Sequence, residues 1–161
     1  METTTILSFL QESLYLILVF GGFLSYALIK GKQSLINLIL GLYLALLLSI
    51  EFPYYDTLIG SNDSPKSESI IMIGLFVFFT ILSTLLFHHL MPREFDEKAF
   101  EGFGKKSLFA MGATVLVMAF SFHVLPVTDF LAPGTPIQYL FAPEQGFFWW
   151  LIVPLGVLFL L

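Results

Sequence analysis

The sequence predicts an all-α integral membrane protein: a polytopic helical bundle of four transmembrane helices, a short fifth apolar run and one amphipathic helix at the membrane surface. Three observations lead there. Hydrophobic residues make up 57% of the 161 positions and charged residues 12%, where a soluble domain carries about 25% charged residues. The mean hydropathy is +0.89. The charges gather in short segments between long uncharged runs of helical length, as a bilayer-spanning chain requires.

The stretch Gly31 to Glu51 (GKQSLINLILGLYLALLLSIE) is read as the central helix, covering about 34–50. Along it Asn37, Gly41, Ala45 and Ser49 recur at every fourth position, which in a helix aligns them as one narrow stripe. Apolar burial gives helices no drive to associate in lipid. Small and hydrogen-bonding side chains do, because they let two backbones approach closely.

The other elements follow in order. Met1 to Gln11 has no Lys or Arg and so lacks the basic start of a cleaved signal peptide. Residues 13–29 (SLYLILVFGGFLSYALI) form a first span of about 25 Å, with Glu12 expected at the interface. Gly21 and Ser25 make a second small pair at helical spacing, expected to meet the stripe of the second helix. Lys30 to Gln33 leaves room only for a tight hairpin. Pro53, Tyr54 and Tyr55 follow the second span, with rings suited to the headgroup level. Gly60 to Ser69 reads as a polar, turn-rich loop.

Residues 70–87 form a third span whose hydroxyls, Thr80, Ser83 and Thr84, can bond carbonyls of their own helix. The segment 92–104 has Phe95, Ala99, Phe100 and Phe103 on one side and the pairs Glu94–Lys98 and Glu101–Lys105. It suits a short helix in the headgroup plane, stopped by Gly102 and Gly104, with a solvated loop carrying scattered Phe as the alternative. Residues 107–124 make a fourth span with small positions at Ala110, Gly112, Ala113 and Ala119. Leu125 to Gly146 reads as a proline-rich loop. The last run, 147–161 (FFWWLIVPLGVLFLL), is about 22 Å long as helix. It is compatible with crossing, with local thinning of the bilayer, or with stopping part-way, and Pro154 leaves these alternatives open.

Topology follows from the basic residues. Lys30, Lys32, Arg93, Lys98, Lys105 and Lys106 share one side and only Lys66 lies on the other. The positive-inside rule makes loops 30–33 and 88–106 cytoplasmic and the N-terminus external. The expected location is the inner (plasma) membrane, with the lipid bilayer as the surrounding partner.

The chemistry is read by exclusion. No ionisable residue falls at mid-depth in any span, where ion-coupled transporters and proton relays carry them. The absence of cysteine removes disulfides, thiol catalysis and thiolate metal sites. His88 and His89 point different ways on a helix, and His123 lies at the opposite membrane face, so one metal site cannot hold all three. All three histidines are expected at the headgroups. With no nucleophile–base or HExxH pattern, no catalytic, cofactor-binding or metal residue is assigned. No basic face suits nucleic acid.

Two candidate interaction features remain. One is the packing set Gly21, Ser25, Asn37, Gly41, Ala45 and Ser49. The other is Phe147, Phe148, Trp149 and Trp150, an aromatic group that fits either a membrane-interface belt or a docking surface for a partner.

The layout from about Leu14 to Leu125 resembles the colicin V production protein family of bacterial inner-membrane proteins. It shares a first helix with its N-terminus outside, a tight basic turn (Lys30-Gly31-Lys32) and a Leu- and Gly-rich second helix (LINLILGLYLALLLS). A polar outer loop, a third helix, an amphipathic inner segment and a small-rich fourth helix follow. The turn lacks arginine-glycine character, and Leu125 to Leu161 has no counterpart in that layout. The resemblance implies a role in export or envelope integrity and transfers no catalytic residue. Small-residue packing, together with the absence of a chemical constellation, gives the expected function: a non-enzymatic subunit or scaffold of a membrane assembly, joined to other membrane chains or to itself through the second-helix stripe and the Trp-rich end. A channel or passive transporter, lined by Thr80, Ser83, Thr84, Thr114 and Ser121, is the alternative.

Overall fold

A computed structural model describes residues 2–59, 65–91, 102–125, 136–141 and 143–160. The described residues form α-helices and turns, with no strand among them: α1 (Glu2–Lys30), α2 (Lys32–Ile50), α3 (Tyr55–Leu58), α4 (Pro65–Leu90), α5 (Phe103–His123), α6 (Pro136–Phe141) and α7 (Glu144–Leu160). Four of them, α1, α2, α4 and α5, are long and apolar enough to cross a membrane, and α7 is a shorter apolar helix. The chain is thus an all-α helical bundle of the multi-pass membrane type.

Several boundaries differ from expectation, each for a local reason. The expected first span lies within α1 at Ser13–Lys30, and the helix extends back to Glu2 because residues 2–12 contain neither Gly nor Pro to stop it. Its 29 residues run about 43 Å, past the thickness of a hydrocarbon core. Helix α4 starts at Pro65, so the expected loop to Ser69 supplies its first turns. Proline is pre-organised for that first position, and Glu68 nearby complements the helix dipole. Gly102 stands at the boundary of the described residues. It takes a left-handed conformation (φ 73°) at the N-cap of α5, and Phe103 and Gly104 belong to α5 itself. The rest of the proposed amphipathic helix, 92–101, lies outside the described residues. The short helix α6 falls within the expected proline-rich loop, and Pro136 opens it.

The α1–α2 hairpin turns on one residue. Gly31 has φ 88°, open to glycine, and its amide still bonds Ala27 O at 3.0 Å, while Ser34 Oγ donates to Lys30 O at 3.0 Å. Gln33 Nε2, at the start of α2, donates to Met91 Sδ just beyond α4 at 3.5 Å. The end of α1, the start of α2 and the end of α4 therefore lie at one end of the bundle.

Helices α2 and α5 share the centre of the bundle, α2 packing on α1, α4 and α5, and α5 is the more completely buried of the two. Of the apolar window of α5, 61% is buried, against 44% for α2 and 6% for α1. Helix α5 packs on α1, α2, α6 and α7, whereas α4 packs chiefly on α2. The reason lies in side-chain size. Ala110, Gly112, Ala113, Thr114, Ala119 and Ser121 distribute small residues round α5, so neighbours approach from several sides. On α2 the small residues keep to one stripe, and Leu47, Leu48 and Ile50 stay exposed. The core joins Leu35, Ile39 and Leu42 of α2 to Phe109, Ala113, Leu116 and Phe120 of α5, with Ala27 of α1 and Phe76 of α4. The Phe76 and Phe120 rings meet edge-on at 5.8 Å.

Candidate functional site

The α2 stripe lies in a closed seam. Asn37, Gly41, Ala45 and Ser49 are all buried, and the seam is made with α4. At Gly41 a Cβ atom would stand 3.0 Å from the Thr84 amide nitrogen and 3.1 Å from the Thr84 Cα. Only glycine permits that approach of two backbones. Asn37 accepts a hydrogen bond from Gln33 Nε2 at 3.3 Å, one turn earlier.

Gly21 and Ser25 do not join this seam. Gly21 has open space where a Cβ would stand, and Ser25 is exposed. The expected meeting of the two small pairs is replaced by the α2–α4 contact. Helix α1 instead packs mainly on α5. There the Tyr15 hydroxyl lies 3.1 Å from Ser121 Oγ, whose own proton goes to Val117 O at 2.8 Å.

The hydroxyls considered as a pore lining do not converge. Thr80 donates to Phe76 O at 2.8 Å and Thr114 to Ala110 O at 2.7 Å, each within its own helix. Ser121 faces α1. Ser49, Ser83 and Thr84, on α2 and α4, are buried without a hydrogen-bond partner among the described residues.

The aromatic group 147–150 divides in two. Phe147 and Trp150 turn inward. Trp150 Nε1 donates to Leu140 O at 3.1 Å, and its ring sits 4.8 Å from that of Phe141. Phe148 and Trp149 turn outward, 62% and 66% exposed, with their rings edge-on at 5.9 Å.

His123 does not face the headgroups alone, as expected. It is half-buried, its ring lies 4.4 Å from Phe147, and Nε2 bonds Phe141 O at 2.6 Å. A carbonyl only accepts, so the proton is on Nε2. His123 and Trp150 thus satisfy two of the last carbonyls of α6, which a helix end leaves without internal partners. Sequence reasoning missed this cap because residues 125–146 carried no helical signal. His88 and His89 are exposed.

Pro154 is buried within α7 and packs on Gly112 of α5, where a Cβ would lie 3.6 Å from the Pro154 Cα and Cβ. Its missing N–H deprives the Trp150 carbonyl of a helical partner. The Tyr43 hydroxyl of α2 donates to the neighbouring carbonyl, Leu151 O. Lys106, read from sequence as a loop charge, is in the first turn of α5, buried to 1% exposure and partnered. Among the described residues, no three of His, Cys, Asp and Glu come together as a metal site.

Of the expected interaction residues, those left uncovered among the described residues are Gly21 and Ser25 on α1 and Phe148 and Trp149 on the outward face of α7. Comparison of the chain with protein-family models, with curated proteins and with solved structures yields no match.

Proposed function

We propose that this protein is a non-enzymatic subunit or scaffold of a membrane assembly, docking another membrane chain or a second copy through the outward face of α7. The observation that carries the reading is the division of the aromatic group. Phe147 and Trp150 anchor α7 to His123 and α6, and this anchoring presents Phe148 and Trp149 on a fixed backbone. Exposed Trp and Phe on a rigid element are the residue types that dominate interface energetics. The small-residue stripe is occupied within the chain and is no longer the docking element.

The membrane proposed is the inner (plasma) membrane, with the N-terminus outside and the basic loops 30–33 and 88–106 in the cytoplasm, on the strength of the basic-residue asymmetry. The layout resemblance to the colicin V production protein family supports the same class of role. Native mass spectrometry of protein gently extracted from its own membrane tests the reading. Extra mass from a partner, lost in Trp149→Ala with Phe148→Ala, is the expected result; a wild-type monomer would sink it.

A second reading, a channel or passive transporter, is favoured by one observation: Ser49, Ser83 and Thr84 are buried hydroxyls without partners among the described residues. Solute flux in protein-loaded liposomes, reduced by Ser83→Ala, would replace the first reading with this one.

A further inference from the structure

An open groove of about 370 Å³ lies on the bundle surface among α1, α2 and α5, walled by Leu18, Gly22 and Tyr26 of α1, Leu38 of α2 and Val117 of α5. Its walls are aliphatic or aromatic apart from the Tyr26 hydroxyl. The hollow owes its existence to Gly22, which has nothing within 4 Å of the place a Cβ would take. Leu18, Gly22 and Tyr26 are spaced by four and so share one face of α1. The next residue in that row is Lys30, exposed at the end of the helix. The row thus runs from apolar carbon through a phenol to a positive charge, over about 12 Å from Leu18 to Tyr26 and about 6 Å more to Lys30.

We propose that this groove binds one anionic phospholipid, with an acyl chain laid against Gly22 and the phosphate at Lys30. The dimensions fit a chain and not a helix. An apolar cavity of about 150 Å³ accepts benzene, so this one has room for an alkyl segment of about a dozen carbons. A helix is about 10 Å across with its side chains and would have to bury the Lys30 charge as it docked. A lipid instead brings a phosphate to that charge, at the depth where a headgroup sits.

The test is native mass spectrometry of the full chain in mild detergent after incubation with equal amounts of phosphatidylglycerol and phosphatidylcholine of identical acyl chains. Wild type is expected to retain one phosphatidylglycerol in preference. Gly22→Leu, which fills open space, loses both lipids. Lys30→Gln, at an exposed position, retains lipid but loses about fivefold in preference for phosphatidylglycerol. Equal retention of the two lipids by wild type, or unchanged retention in Gly22→Leu, overturns the proposal. A wild-type dimer that Gly22→Leu converts to monomer also overturns it, and gives the groove to a second copy.

Discussion

Tyr43 on α2 donates its hydroxyl proton to the backbone carbonyl of Leu151 on α7, three residues before Pro154. The carbonyl that Pro154 leaves without a helical donor is that of Trp150, so the Tyr43 bond is an interhelical tie and not a replacement for the lost helical bond. The bond therefore ties the shortest apolar helix to the body of the bundle. Removing it in Tyr43→Phe keeps the ring and its packing. The expected loss is about 0.6 to 1.7 kcal/mol, the range for interhelical hydrogen bonds in membrane proteins. Reversible unfolding in mixed micelles measures it; unchanged stability would show that α7 is held by packing alone.

Glycines of similar appearance in the sequence should respond in opposite ways. At Gly41 a methyl group meets Thr84 backbone at 3.0 Å, and backbone cannot rotate away as a side chain can. Gly41→Ala is expected to cost about 1 to 3 kcal/mol by forcing α2 and α4 apart. At Gly21 the same methyl meets nothing, and Gly21→Ala should stay within about 0.5 kcal/mol of wild type. At Gly112 it meets Pro154 at an ordinary 3.6 Å, so Gly112→Ala should also be mild while Gly112→Leu is not. Parallel unfolding curves for the four variants check the ranking, and equal effects at Gly41 and Gly21 would refute the seam.

That contrast shows what the sequence makes legible. The four spans could be read because uncharged helical length is a one-dimensional property, and the Asn37–Ser49 stripe because its period is local. Which helix fills the stripe could not be read. Both α1, with Gly21 and Ser25, and α4, with Thr80 and Thr84, offer small groups at helical spacing, and only the three-dimensional course of the hairpins selects α4. Likewise Phe147 to Trp150 reads as one aromatic block, yet helical rotation of about 100° per residue sends Phe147 and Trp150 inward and Phe148 and Trp149 outward.

His123 is expected to matter for the end of the bundle without any role in metal binding. His123→Ala leaves the Phe141 carbonyl without its donor and removes the ring beneath Phe147. A cost of about 1 to 3 kcal/mol is expected for a buried acceptor left unsatisfied. Because Trp150 rests on Phe141 and bonds Leu140, tryptophan emission should shift to the red, and proteases should cut the α5–α7 connection faster. If emission and cleavage both match wild type, the cap on α6 is not formed in the membrane.

The orientation of the bundle is open to a direct test because the chain has no cysteine of its own. Thr57→Cys places a thiol on α3, and Gly104→Cys places one in the first turn of α5; both positions are exposed, and Gly104 has open space around it. Neither change alters a charge, so the basic-residue asymmetry that sets orientation is preserved. With Lys30, Lys32, Lys105 and Lys106 on the cytoplasmic side, a membrane-impermeant maleimide added to intact cells should label the Thr57 position alone. Inverted vesicles should reverse the pattern. Labelling of Gly104→Cys from outside would place the basic end of the bundle externally and move the Lys30 lipid site to the outer leaflet.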